Sequence, residues 1–206
     1  MLFRSNASTL AHAKETYKDL KQKAIDSGRK PEDIKVFPTL QPIVGKDQEE
    51  VRSRYEYLKN LVTIDEALAY LGRYFDHHDF SQYDVDAPFP ELGDVGKNSF
   101  RSTTDEIKKR AKENNLTLRQ VAMEETTRES AFMGTYEEIA VQIIEWIDND
   151  AADGFVLIPH VFGQIFEDFI DKVIPILVER GYYETDYSGQ TLRDELGLKF
   201  KENRYQ

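Results

Sequence analysis

Two short apolar runs, each set between amphipathic helices, constrain this chain more than any other feature. The first is "IKVFPTLQPIVG", Ile34 to Gly45, and the second is "FVLI", Phe155 to Ile158. Strands that alternate with helices imply parallel βαβ units, because a parallel neighbour is reached only through a covering crossover. A third strand is expected in the opening "MLFRS". Two or three parallel strands cannot close on themselves, and both faces of such a sheet need cover. The chain therefore reads as α/β, and as a piece of a larger sheet or barrel.

The helices around these runs follow from spacing. Leu10, Ala13, Tyr17, Leu20 and Ala24 share one face of a helix that Gly28 ends. The acid-free opening "MLFRSNASTLAHAK" has a superficial likeness to a transit peptide, but this apolar face runs well past a usual cleavage point. Pro38 and Pro42 cannot donate ladder hydrogen bonds, so the first strand is expected to loosen into a loop there. Asp47 and Glu50 form a capping-box variant, ahead of a stripe of Val51, Tyr55, Leu58 and Val62. Thr135 and Glu138 open a later helix with Ile139, Ile143, Trp146 and Ile147 inward. The closing "FEDFIDKVIPILVERG" is expected to bury Phe166, Phe169, Ile170, Val173 and Leu177, to kink or break at Pro175, and to stop at Gly181.

Residues 64–133 break the alternation. The helix "IDEALAYLGRYF" leads into "DHHDFSQYDVDAPFPELGDVGKNSF", which has no sustained period, and two short helices follow, over about 103 to 113 and after the cap Thr117. Long irregular segments are usually lids or linkers. Phe80, Tyr83, Val85, Phe89 and Leu92 indicate that this one packs on something, as a lid or excursion. The expected organisation is a single partial domain over 1–206: a helix–strand–helix unit at 1–63, the insertion at 64–133, and the last unit with its tail at 134–206.

Bulk properties remove several function classes. A net charge of -11 argues against nucleic acid as a partner. The absence of cysteine excludes disulfides, thiolate nucleophiles and Cys-ligated zinc, and fits a reducing, cytoplasmic setting. No apolar run approaches the roughly 18 residues that a membrane span needs.

Five strings then occur in order with family-like spacing: "PTLQPIVG", "LTLRQVA", "MGTYEEIAVQIIEWIDNDAADGFVLIP", "DFIDKVIPILVERG" and "TDYSGQTLRDELGL". With "DVDAPFPEL" in the insertion, they resemble the C-terminal half of the flavin-dependent monooxygenases related to nitrilotriacetate and dibenzothiophene-sulfone monooxygenases, in the bacterial-luciferase-like superfamily. The resemblance implies a (β/α)8 TIM barrel whose active site lies at the C-terminal ends of the strands. The chain would run from the end of strand six through strand eight, with 64–133 inserted between strands seven and eight. It implies reduced FMN supplied by a separate NAD(P)H-dependent flavin reductase, and oxygenation of a small organic substrate by O2. A homo-oligomer or a missing N-terminal half would complete the fold.

By the same resemblance, Gln41 and Pro42 stand at the mouth of strand seven, and Pro159 and His160 at the mouth of strand eight. These four are the cofactor-binding or substrate-facing candidates. The catalytic residues are not assignable and would lie mostly in the other half, as would the Ser-rich phosphate loop. The chain has no G-x-G-x-x-G or G-x-x-x-x-G-K-[ST] to replace that loop, so alone it is expected to bind FMN poorly. Two positions depart from the family. Tyr136 stands where Pro commonly follows Gly-Thr, a change at a helix N-terminus expected to be neutral. Pro159-His160 replaces the common Pro-Pro, so His160 either contacts substrate or flavin or is a loop histidine bonded to backbone or water.

Other candidates have plainer explanations. "DHHD" (Asp76 to Asp79) has metal-ligand residue types, but adjacent histidines in an extended loop diverge and no third ligand cluster is evident, so no metal is expected. The pairs Glu49-Glu50 and Glu124-Glu125 read as exposed helix faces or caps. Tyr182, Tyr183 and Tyr187 are expected to pack on helices or at an oligomer interface. No Ser–His–Asp constellation is legible. A second function class stays open: a non-catalytic half-barrel that acts by association through its strand edges. An adjacent reading frame encoding the N-terminal half would favour the enzyme; its absence would favour the remnant. A third option is an unrelated α/β domain.

Overall fold

The computed structural model describes residues 2–5, 7, 9–98, 101–200 and 202; Met1 of the expected first strand lies outside them. The chain divides into two compact units, Met1–Arg54 with Ser130–Gln206, and Tyr55–Glu129. In chain order the elements are β1 (Leu2–Ser5), α1 (Leu10–Asp26), β2 (Lys35–Leu40), β3 (Ile43–Gly45), α2 (Gln48–Asn60), α3 (Ile64–Tyr74), α4 (Arg101–Glu113), α5 (Leu118–Thr126), β4 (Met133–Thr135), α6 (Tyr136–Asp148), β5 (Val156–Leu157), α7 (Gln164–Asp168), α8 (Ile174–Glu179) and α9 (Leu192–Glu195).

The first unit is built on a parallel sheet of order β1-β2-β5. Leu2 to Ser5 pair with Lys35 to Pro38, and Thr39 and Leu40 pair with Val156 and Leu157. All three expected strands are therefore present and mutually parallel. Pro38, expected in a loop, lies inside β2. Val36 bonds toward the β5 side, where its N–H meets the Asp153 carboxylate and its carbonyl accepts from the Asp153 N–H. Alternation along the strand turns the Pro38 nitrogen to that same side, ahead of the first β2–β5 pair at Thr39. A proline there forfeits no ladder bond.

One face of β2, through Val36, Pro38 and Leu40, is buried. Val36 packs with Ala24, Tyr17 and Leu20 of α1. Leu40 joins Ile139, Ala140, Ile143 and Trp146 of α6, with Phe169, Val173 and Leu177. The helix stripes read from spacing are thus the ones that cover the sheet. On the other face, Phe37 and Thr39 are only half-buried. Leu2 of the edge strand β1 is 46% exposed.

The sequence reading missed a second parallel pair. β3 meets β4 in the register Ile43↔Met133 to Gly45↔Thr135. Each strand has three residues, too few for periodicity to show.

The last helix departs from expectation. Between α7 and α8 the chain makes a π turn over Phe169–Val173. In a continuous α-helix the Pro175 ring would collide with the Asp171 carbonyl one turn back, and the wide turn relieves this. It also shifts the helical phase by about one residue. Phe169, Val173 and Leu177 stay buried, but Ile170, expected inside, rotates out to 41% exposure. Tyr183 and Tyr187 are exposed as well, while Tyr182 donates to Asp148.

The second unit has a core of its own. Ala67, Leu68 and Leu71 of α3 pack with Ile107 and Ala111 of α4 and with Leu118, Val121 and Ala122 of α5. The irregular stretch supplies Phe75, Phe80 and Leu92 to this cluster, with Tyr83, Val85 and Phe89 packed against it. Capping boxes at Thr63/Glu66 and Thr117/Gln120 start α3 and α5. Gly72 leaves room for the chain to double back: a Cβ there would lie 2.7 Å from the His78 carbonyl oxygen. Gly72→Ala is therefore expected to cost about 1–3 kcal/mol of stability, read by chemical denaturation. An unchanged midpoint would show that the turn yields freely.

Candidate functional site

The carboxyl ends of β1, β2 and β5 lie side by side, because the three strands are parallel and adjacent. The ladder closes where the Ile158 N–H donates to the Leu40 carbonyl at 2.9 Å. Pro159 comes next and cannot extend the pairing. His160 is thus the first residue past the end of β5 able to offer a side-chain hydrogen bond. On β2 the corresponding positions are Gln41, half-buried, and Pro42, buried. The structure brings the four sequence candidates to one edge of the sheet.

Two polar atoms at this edge are conspicuous. His160 Nε2 and Ser5 Oγ are buried and lack a hydrogen-bond partner among the described residues. Native interiors seldom leave such atoms unpaired. Burial also pushes the His160 imidazole below its ordinary pKa, so the ring is held neutral near pH 7. Ser5, which ends β1, carried no motif and could not have been picked out from sequence.

A buried charge network fixes the segments that follow these residues. Arg54 of α2 donates to the Val44 carbonyl at 2.7 Å and pairs with Asp168 of α7 at 2.5 Å and Glu50 at 2.8 Å. Asp168 also accepts from Gln164 at 2.8 Å and from the Tyr136 hydroxyl at 3.3 Å. Burial works against ionisation of Asp168, but the Arg54 and Gln164 hydrogen bonds, the Arg54 charge and the Tyr136 hydroxyl outweigh it and hold the carboxyl below its usual range. β3 begins just after Pro42, and α7 begins just after the loop that carries His160. The network therefore positions both halves of the strand-end cluster. Tyr136, expected to be neutral, takes part in it. Its hydroxyl pKa is raised by burial and by the Asp168 charge.

At the opposite end of the sheet lies an open groove of about 810 Å³, lined by Lys14, Tyr17, Lys18, Lys21, Lys35 and Asp153 among others. Lys21, Tyr17 and Asp153 in it are tied to one another. Lys21 donates to the Ile34 carbonyl at 2.7 Å and to Asp153 at 2.9 Å, and the Tyr17 hydroxyl donates to Asp153 at 3.1 Å. The groove is a by-product of a structural tie, and chemistry is better sought at the strand ends.

The remaining candidates resolve locally. His78 Nε2 and the Tyr83 hydroxyl share a 2.9 Å hydrogen bond, and Asp76 accepts from the Gly96 N–H at 2.9 Å. Among the described residues, no group of three or more His, Asp or Glu converges as a metal site would require. Glu50 serves as a cap and as a partner of Arg54, and Glu124 is largely exposed. Glu125 departs from expectation: it is buried between Arg110 and Arg128. Those partners lie 15 positions before it and three after it, so only the fold reveals the cluster.

A parallel α/β sheet with unsatisfied polar groups at its carboxyl edge is the arrangement of a ligand-binding α/β fold. Comparison with known proteins makes this specific. Residues 1–153 match the model of the luciferase-like monooxygenase family, and the chain belongs to that family. It is 34% identical over 198 residues to the N-acetyl-S-(2-succino)cysteine monooxygenase of Bacillus subtilis (strain 168), covering 95% of this chain and 45% of that protein. It is 36% identical over 197 residues to component A of the nitrilotriacetate monooxygenase of Aminobacter aminovorans, covering 95% and 43%. Among solved structures, a riboflavin lyase crystallised with modified FMN and riboflavin superposes with a TM-score of 0.71 at 25% identity, covering 96% of this chain and 43% of that one. The chain thus spans less than half the length of these relatives. Among the described residues no helix is long and apolar enough to cross a membrane.

Proposed function

We propose that this chain is the C-terminal portion of an FMN-dependent monooxygenase, supplying the end of strand six, strands seven and eight, and the intervening insertion of a (β/α)8 barrel. In this assignment β1, β2 and β5 are those strands, and residues 64–133 are the insertion between the second and the third of them. The single observation that carries it is the pair of unsatisfied buried polar atoms, His160 Nε2 and Ser5 Oγ, at the carboxyl edge of the parallel sheet. Family membership supports reading such an edge as the side that faces flavin and substrate.

The residues present suit the ring end of a flavin better than its phosphate. Gln41 offers a half-buried amide beside the buried, rigid Pro42. No glycine-rich phosphate cradle accompanies them in the sequence. Bound reduced FMN would supply the chemistry that activates O2, while the protein orients it and excludes water. The "component A" of the nitrilotriacetate relative supports a two-component reading, in which a separate NAD(P)H-dependent reductase would supply reduced flavin and a small organic molecule would be the substrate.

The test is a titration with reduced FMN, followed by flavin fluorescence and sizing chromatography. The chain alone is expected to bind weakly. The same chain fused to the N-terminal half of a relative such as the nitrilotriacetate enzyme is expected to bind one flavin tightly. Tight binding by the chain alone would remove the need for another half. A compact fusion that ignores flavin would sink the assignment.

A further inference from the structure

We propose that Arg4 is an anion-binding residue of the strand-end site, its guanidinium holding an anionic oxygen group of the substrate or of the flavin. This deepens the monooxygenase assignment above and rests on its barrel.

The pleat fixes which way Arg4 faces. Val36, Pro38 and Leu40 of β2 are buried on the helix side, so Lys35, Phe37 and Thr39 point to the opposite face. The register sets Arg4 beside Phe37, and so places it on that opposite face. In a (β/α)8 barrel the face away from the helices is the interior, which branched apolar residues dominate. An arginine there is out of place unless something answers its charge.

The strands of this chain do not answer it. No acidic residue stands on β1, β2 or β5. Among the described residues Arg4 forms no ion pair, and its one side-chain hydrogen bond runs from Nε to Thr39 Oγ1 at 3.4 Å, a long one. Here β1 is an edge strand and Arg4 is exposed to water. Strands that closed the barrel beyond β1 would take that water away.

The same hydrogen bond shows where the side chain leans. Thr39 lies two residues beyond Phe37 toward the carboxyl end of β2, and its hydroxyl donates to the carbonyl of Ser5, the last residue of β1. The level beneath is filled: the Phe37 ring lies against Gly154, where a Cβ would come within 2.9 Å of it. Val156 of β5 stands beside Thr39 and offers only methyl groups. The guanidinium is thus directed toward the strand mouths, with both terminal nitrogens open to a ligand. Such a fork matches the paired oxygens of a carboxylate or a phosphate. A substrate carboxylate, the FMN phosphate and the negatively charged ring of reduced FMN share this chemistry.

The fused protein described above supplies the enclosed site for the test. Arg4→Gln and Arg4→Lys are made in it, and each is titrated with succinate, its uncharged counterpart succinamide, oxidised and reduced FMN, and riboflavin. The parent is expected to bind an anionic probe about tenfold more tightly than Arg4→Gln does, equivalent to about 1.4 kcal/mol. Arg4→Lys keeps the charge without the fork and should fall between them. A loss for succinate with succinamide and the flavins unchanged assigns Arg4 to a substrate carboxylate. A loss for both forms of FMN but not riboflavin assigns it to the phosphate, and a loss for reduced FMN alone assigns it to the ring. If Arg4→Gln binds every probe as the parent does, the proposal is overturned. A lowered denaturation midpoint beside those unchanged affinities would show instead that Arg4 pairs with a side chain of the other half. A parent that ignores flavin marks failure of the monooxygenase assignment; one that binds flavin with no dependence on Arg4 marks failure of this proposal.

Discussion

Asp168→Ala is expected to lower stability at neutral pH by up to about 3–5 kcal/mol, the usual cost of breaking a buried ion pair. The variant leaves Arg54, whose side chain is only 13% exposed, with Glu50 and the Val44 carbonyl alone, and frees Gln164 and the Tyr136 hydroxyl from the carboxylate. Asp168→Asn, which keeps the shape and part of the hydrogen bonding, should cost less. The double variant Arg54→Met with Asp168→Ala should cost less than the sum of the two single changes, because they share one interaction.

The pH dependence follows from the depressed carboxyl of Asp168. A group with a folded pKa below its unfolded value contributes stability that is complete above the ordinary aspartate range. That contribution fades as pH falls from the ordinary value through the folded one. The gap between the native chain and Asp168→Ala should therefore be widest near neutrality and shrink at about pH 3 and below. Chemical denaturation over that range checks it, and a gap unchanged by acid would show that packing, not charge, holds α7. Because the network also fixes the segments flanking Gln41 and His160, the cost in ligand affinity should exceed that of an equally destabilising change elsewhere in the first unit.

Asp153→Ala is the second large effect, with an expected loss of about 3 kcal/mol. Asp153 stands in for a strand residue: its carboxylate accepts the Val36 N–H at 2.8 Å, and its own N–H donates to the Val36 carbonyl at 2.9 Å. Removing the carboxylate strands that N–H and Lys21, which is largely buried and left with the Ile34 and Pro31 carbonyls alone. The hydroxyl of Tyr17 should then ionise more readily. Its pKa is raised chiefly by burial, next by the Asp153 charge and then by the hydrogen bond to Asp153, and both Asp153 causes disappear. Spectrophotometric titration of tyrosine reads this, and denaturation reads the stability. If the groove beside Asp153 were a functional site, the variant would also lose affinity for reduced FMN in the fused protein; none is expected.

What could be read from the sequence follows physical range. Signals repeated over several turns, such as the Ile139, Ile143 and Trp146 stripe or the Thr135/Glu138 cap, were legible and correct. That these strands run parallel was foreseeable because α1 and α6 precede strands. β3 and β4 were not, since three residues carry no period. Ile170 was misplaced because a proline announces a break but not its form, and a π turn shifts the face. Of the strand-end residues, Gln41, Pro42, Pro159 and His160 were visible through the family resemblance. The unsatisfied nitrogen of His160, the part played by Tyr136 and the burial of Glu125 depend on partners far away in sequence.

The central strand also bears on the order in which the protein folds. Val36 and Asp153 meet across 117 positions, a closure that loses much chain entropy before it returns any contact energy. The helices α3, α4 and α5 find one another locally, and their cluster of Leu71, Ile107 and Val121 can condense before the sheet exists. Once condensed, they shorten the effective span between β2 and β5. Pulse-labelled hydrogen exchange should find protection in α3 and α5 ahead of the β2–β5 ladder, so that the excursion, last to look like part of the sheet, becomes the step that lets the sheet form.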